Sequence, residues 1–253
     1  MTQPNGGVTR KDCQENARMK FPWEEEPMTP VQIVDRAIAG RRSMRAFLPT
    51  PLVDGALDEI LTVAARAPSG GNMQPWHVHV LEGAALKRFV EAACYAYDFL
   101  PGERRSEYDY YPTEFFEPYA ARRRKVGWDL YGLLGIERGD KGKMKEQQRR
   151  NFEFFGAPTG LIFTLDRRLA QGSWLDHGMF LQNIMTAARA RGIDSCAQAS
   201  WIEYPDVVAR ELNIPPGEII VCGMALGYAD PDAIENKLLT EREPLEAYVT
   251  RHK

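Results

Sequence analysis

Apolar residues recur at helical spacing in several stretches of this chain and run together or alternate in others, and that pattern lays out its elements. Thr29-Pro30 opens the first helix: the threonine caps it, and the proline fits the first helical position, where its missing N–H would be unpaired anyway. Val31, Val34, Ala37 and Ile38 follow at helical spacing, with Asp35 and Arg36 on the other side, and the helix runs out at Gly40 or just beyond. A second helix begins after Asp54. Ala56, Leu57, Ile60, Leu61, Ala64 and Ala65 make its apolar face, and Pro68 with Gly70-Gly71 stops it. Trp76 to Leu81 is strand-like, and residues 83–97 read as a helix. Leu161 to Leu165 predicts a short strand, and residues 202–212 a short helix. Residues 173–191 predict a long helix ended by Gly192. It is apolar around most of its circumference, so it is either fully buried or part of a subunit seam. Ile219 to Leu226 is a nearly continuous apolar run, the pattern of a strand covered on both faces.

Two stretches stand apart. Residues 1–28 are polar and lack periodicity, which predicts an extended arm ahead of one domain at 29–253. Residues 101–156 are rich in Arg, Tyr and Phe and read as a helical insertion between two strands. The run Arg122-Arg123-Arg124-Lys125 within it reads as a solvated helix face. Helices outnumber strands, so the class is α+β or α/β.

Composition narrows the function classes. With 253 residues, 44% hydrophobic and 26% charged, the chain buries a core without disulfides or metal and is not disordered. A net charge of −3 argues against a general nucleic-acid binder. No apolar run reaches the ~18 residues of a membrane span, and the charged first 29 residues are no secretory signal. Cys13, Cys94, Cys196 and Cys222 form no CxxC pair, which predicts free thiols and a cytoplasmic protein. His77 and His79 have no thiol or carboxylate at ligand spacing, so no metal site is expected.

Four constellations carry possible chemistry. Arg41-Arg42-Ser43-x-Arg45 sets three guanidinium groups and a hydroxyl at a helix end, where they either complement the helix dipole or grip phosphate oxygens. Pro68-Ser69-Gly70-Gly71-Asn72-x-Gln74 lets the backbone approach a ligand closely and offers two amides to the edge of a flat heterocycle. A plain helix-to-strand turn needs the Gly and Pro but not the amides. Ser195 to Ser200 is built of small residues whose backbone N–H groups can face a ligand, and Cys196 has no histidine placed to activate it. Arg242 is a single charge in a polar tail. No GxGxxG follows a strand, and neither a P-loop nor a GxSxG elbow occurs.

In order, RRSxRxF (Arg41 to Phe47), APSGGNxQPW (Ala67 to Trp76), GIDSCAQASW (Gly192 to Trp201), GMALGY (Gly223 to Tyr228) and TEREPL (Thr240 to Leu245) resemble the FMN-dependent nitroreductase family over about residues 30–250. Phe155-Gly156-Ala157-Pro158 and Gly172 to Asp176 are similar to its bacterial nitroarene reductase branch. The resemblance implies an α-β-α sandwich with a central mixed or mostly antiparallel sheet. It also implies a homodimer with a domain-swapped C-terminal arm and FMN sites shared between subunits. For the cofactor it implies that Arg41, Arg42, Ser43 and Arg45 bind the FMN phosphate, ribityl chain and part of the ring, with Arg242 reaching the phosphate. Some members carry a lysine two residues before that arginine; Thr240 stands there in this chain. Pro68, Ser69, Gly70, Asn72 and Gln74 would pack along the flavin, and Gln198, Ala199 and Ser200 would lie at its ring edge. NAD(P)H and an electron-poor acceptor, nitroaromatic in the first instance, would visit one open flavin face in turn, in a ping-pong scheme that needs no catalytic side-chain acid or base. Tyr110, Tyr111, Phe115 and Phe116 are the candidate substrate residues, as a lid or else as a contact on the partner subunit. The same scaffold also admits flavin or enone reduction, reductive dehalogenation, or non-catalytic flavin binding.

Overall fold

A computed structural model describes residues 28–253. The expected arm at 1–28 therefore lies, apart from Met28, outside the described residues. Among the described residues seven α-helices surround one four-stranded sheet, an α+β arrangement. In chain order the helices are α1 (Pro30–Gly40), α2 (Ala56–Ala64), α3 (Gly83–Phe99), α4 (Tyr119–Leu133), α5 (Lys141–Arg149), α6 (Gln171–Ala190) and α7 (Pro205–Leu212). The strands are β1 (His77–Glu82), β2 (Thr159–Asp166), β3 (Asp194–Gln198) and β4 (Glu218–Gly227), in the order β1-β2-β4-β3. Every ladder is antiparallel.

The helix starts follow local chemistry. Thr29 caps α1, and Gln32 returns the favour: its side chain accepts from the Thr29 N–H at 2.8 Å while the Gln32 N–H donates to the Thr29 hydroxyl at 3.3 Å. The apolar face of α1 does not behave as a core face, however. Only Ala37 is buried; Val31, Val34 and Ile38 face solvent.

Alternation along β2 and β4 divides the interior. Leu161, Phe163, Leu165, Met224 and Leu226 point to the side of α2 and α6, where Ile60, Phe180 and Ile184 pack. Ile162, Ile220 and Ala225 point the other way, to Phe89, Phe154 and Trp201 beneath α3 and α7. This is the three-layer arrangement that the periodicity requires of a sheet covered on both faces. The alternation slips at one place: Phe163 faces Cys222 but Thr164 faces Ile220, so Val221 is an extra residue in β4. Its carbonyl accepts from the Tyr108 hydroxyl and so ties the aromatic insertion to the sheet.

Trp201 and Phe154 stack at 4.4 Å over the sheet, and glycine makes room for them. A Cβ on Gly223 would fall 2.2 Å from Trp201 Cδ1. Gly223→Ala is therefore expected to cost about 1–3 kcal/mol through forced repacking, read as a lower urea midpoint with an unchanged slope.

His177 on α6 is fully buried among Phe163 and Phe180, and neither ring nitrogen has a hydrogen-bond partner. Burial, aided by the charge of His77, pulls its pKa down to about 4. Between the ordinary histidine value near 6.5 and that value, the unfolded chain binds a proton that the folded chain refuses. Stability is thus full above pH ~6.5 and declines towards pH 4, by on the order of 2 kcal/mol from this group. Urea titrations at pH 7 and pH 4.5 should show that decline, and His177→Leu should remove its share of it.

Candidate active site

The arginine segment leaves α1 and runs beside the free edge of the sheet. Ser43 bridges Ser195 in parallel, and the Met44 N–H donates to the Ser195 carbonyl at 3.1 Å. Asn236, buried, fixes the next turn. Its Oδ1 accepts from the N–H groups of Arg45 (2.8 Å) and Ala46 (3.2 Å), and its Nδ2 donates to the carbonyls of Ala46 (2.8 Å) and Asp230 (2.9 Å). Beside it, Glu235 pairs with Arg150.

β3 was not expected as a strand. Asp-Ser-Cys-Ala-Gln has no apolar alternation, yet Asp194, Ser195, Cys196 and Gln198 are all buried: the arginine segment lies against Ser195 and Cys196, Arg189 pairs with Asp194, and Asn151 and Trp201 hold Gln198. The Cys196 thiol lies among Ser43, Arg45 and Arg41. Burial pushes its pKa up despite those cations, so it remains a thiol and no nucleophile.

Arg45, Cys196, Ala197, Gln198, Ala199 and Ser200 line a cleft of about 400 Å³ together with Tyr110, Tyr111, Asn151 and Phe155. Of the predicted residues this cleft unites Arg45, Gln198, Ala199, Ser200, Tyr110 and Tyr111. The Gln198 side chain is already committed: its Nε2 donates to the Asn151 carbonyl at 2.6 Å and its Oε1 accepts from Trp201 Nε1 at 3.4 Å. Small side chains and backbone, rather than the amide, thus form that wall.

The two predicted phenylalanines do not join the cleft. Phe115 lies under the Arg123 guanidinium, 4.4 Å from its carbon, and Phe116 packs edge-on against Tyr119 at 5.2 Å. Their spacing made all four aromatics look alike; only Tyr110 and Tyr111, nearest the Tyr108 anchor, reach the cleft wall.

The glycine loop lies elsewhere in the single chain. Its Gly70 N–H donates to Asp176 Oδ2 on α6 at 3.1 Å, and the Gln74 N–H donates to the Ser69 hydroxyl at 3.0 Å. Asn72 and Gln74 both hold positive φ, at 57° and 49°. Such backbone is strained for residues with a Cβ and gathers at functional sites. Pro68, Ser69, Gly70, Asn72 and Gln74 form no part of the cleft lining, and most of them face solvent. Arg242 is also separate. Its guanidinium donates to Thr240 and Glu241, in a groove formed with α4 and framed by the ion pairs Arg122–Glu243 and Lys125–Glu241.

The electrostatics single out one segment. Arg149, Arg150 and Arg189 are half-buried and each pairs with a carboxylate: Asp98 and Glu153, Glu235, and Asp194 respectively. Arg41, Arg42 and Arg45 are half-buried too, yet none has a carboxylate partner among the described residues. Guanidinium groups without a counter-charge are the donors that anionic oxygens take. Asn151, Asn236 and Glu235, which support this site, were invisible as sequence because each acts across a long chain separation.

Comparison with known proteins agrees with the motifs. The nitroreductase family model matches residues 38–228. The nitrobenzene nitroreductase of Ectopseudomonas oleovorans is 41% identical over 224 residues, 88% of this chain and 98% of that protein. The 4-nitrobenzoate reductase of Pseudomonas putida is 38% identical over 214 residues, 85% of this chain and 93% of that protein. The crystal structure of the FMN and NADPH-dependent nitroreductase NfnB from Sphigopyxis sp. strain HMH is similar with a TM-score of 0.84 at 36% identity, covering 87% of this chain and 99% of that one.

Proposed function

This chain belongs to the nitroreductase family, and from that premise we propose that it is an FMN-dependent NAD(P)H oxidoreductase that reduces nitroaromatic compounds by two-electron steps. The observation that carries the reading is the run Arg41, Arg42 and Arg45, without a carboxylate partner among the described residues, whose Arg45 lines a cleft with small residues (Cys196, Ala197, Ala199 and Ser200) along one side. That donor set fits FMN: a phosphate dianion takes planar guanidinium forks, and a flat ring needs a wall without bulky side chains.

In this reading Arg41, Arg42 and Ser43 hold the phosphate and ribityl chain, and Arg45 reaches the ring. Ala199 and Ser200, after the committed Gln198, present backbone to the ring edge. Bound FMN supplies the two-electron chemistry between NAD(P)H and the acceptor. With FMN bound, the guanidinium of Arg45 would stabilise negative charge on the ring beside it. Tyr110 and Tyr111 offer aromatic faces to a flat acceptor. No side chain is assigned as acid or base.

Pro68, Ser69, Gly70, Asn72, Gln74 and Arg242 complete the site from a second subunit or along its edge. A homodimer is supported by the apolar surface that one chain leaves open: Val31, Val34 and Ile38 on α1, Leu175 on α6, and Leu239 and Tyr248 in the C-terminal arm that would exchange between subunits. A cytoplasmic setting is supported by the unpaired Cys94, Cys196 and Cys222, all buried. Among the described residues no helix is long and apolar enough to cross a membrane.

The test is the visible spectrum of the purified protein under anaerobic conditions. A flavin spectrum that bleaches with NADPH or NADH and returns on adding nitrobenzene is expected. Flavin that does not bleach would indicate a binding protein, and no uptake of added FMN would overturn the reading. Exchanging residues 104–135 for those of a relative should change the preference among nitroarenes and leave flavin content unchanged.

A further inference from the structure

A second cleft, of about 490 Å³, adjoins the first and shares Arg45, Tyr111, Asn151 and Phe155 with it. Its other walls come from α4, with Arg123, Arg124, Trp128 and Tyr131, and from Gln147 and Gln148 of α5. These guanidinium groups are not equivalent. Arg124 is neutralised by Glu117 at 2.7 Å. Arg123 has no carboxylate partner among the described residues; it is held instead on the faces of Phe115 and Tyr111, at 4.4 and 5.6 Å. A guanidinium stacked on rings keeps its in-plane N–H donors available while losing rotational freedom. Phe115 and one face of Tyr111 thus form a mount for a cation. Trp128 and Tyr131 supply an edge-on aromatic wall opposite, at 5.7 Å from each other.

Resting on the function proposed above, we propose that Arg123, mounted on Tyr111 and Phe115, is an anion subsite at the outer end of the cleft. It takes the negatively charged oxygens that a flat reactant carries away from its reacting end. That chemistry belongs to the carboxylate of an aromatic acid acceptor and equally to the 2′-phosphate of NADPH. Arg45 then serves the inner end of the same cleft and Arg123 the outer end, with Tyr111 between them. Arg123 touches the reactant and sets which reactants bind, without acting on the reacting atoms.

The experiment uses the flavin-loaded protein and calorimetric titration with unreactive probes: benzoate against benzamide, and adenosine 2′,5′-bisphosphate against adenosine. Arg123→Gln is expected to weaken at least one anion fivefold or more and to leave its neutral counterpart within twofold. Loss for benzoate alone assigns the subsite to the acceptor, and loss for the bisphosphate alone assigns it to the donor. Steady-state KM should follow, rising for 4-nitrobenzoate over nitrobenzene in the first case or for NADPH over NADH in the second. Arg123→Lys, which keeps the charge, should retain part of the preference. Equal weakening of anion and neutral probe, no anion preference in the unmodified protein, or loss of flavin from Arg123→Gln would each overturn the inference. A native protein that takes up no flavin would instead overturn the function on which it rests.

Discussion

Arg45→Ala is expected to weaken FMN binding by about ten- to a hundredfold, measured as flavin fluorescence quenching on titration of the apoprotein. Hydrogen bonds to charged groups are worth about 1.5–3 kcal/mol, and a factor of ten corresponds to about 1.4 kcal/mol. Among the described residues the side chain makes one hydrogen bond, to the Ser43 carbonyl at 3.2 Å, so its removal costs little of the chain's own bonding. The backbone of the segment is held separately by Asn236. A loss of flavin affinity without a loss of stability is therefore the signature of a ligand-directed arginine. Retention of full affinity and full rate would show that the phosphate and ring are held elsewhere.

Asn236→Ala gives the reverse signature. Removing this amide leaves the N–H groups of Arg45 and Ala46 without an acceptor and the Asp230 carbonyl without that donor. The Ala46 carbonyl keeps a second donor, the Asp230 N–H at 3.1 Å. Unsatisfied buried groups cost about 1–3 kcal/mol each, so a loss of roughly 2–4 kcal/mol is expected. At 2–4 °C per kcal/mol for a domain of this size, Tm should fall by about 5–15 °C in a thermal melt. Flavin affinity should fall as well, because the turn that aims Arg45 loses its clamp. Asn236→Asp keeps the acceptor but loses both donors, and should fall between alanine and the native residue.

These two residues differ in what a sequence alone shows of them. Arg45 belongs to a compact run whose charge density stands out in one dimension. Asn236 sits in an ordinary polar tail, and three of its four bonds go to Arg45 and Ala46, some 190 positions away. The same contrast holds for the strands. The unbroken apolar run of β4 announced a strand covered on both faces, as it is. β3 stayed hidden because its polar residues are covered by segments distant in the chain, the arginine run at Ser195 and Asn151 at Gln198, rather than marked by apolar alternation of their own. The residue pattern announced α1 and its threonine cap, but periodicity shows only that a face will be covered, not by what. Within one chain most of that face remains open.

The insertion that carries Tyr111 and Arg123 leaves the sheet at Glu82 and returns at Thr159. These two residues sit directly opposite each other in the ladder, and the Thr159 hydroxyl donates to the Glu82 carboxylate at 2.8 Å. The whole excursion is thus a hairpin loop enlarged to hold helices, closed at its neck. Closing a longer or shorter loop changes the entropy only with the logarithm of its length. Lineages can lengthen, trim or recombine the outer part of this segment as a cassette, diversifying the compounds they accept while inheriting the sheet and its arginine edge unaltered.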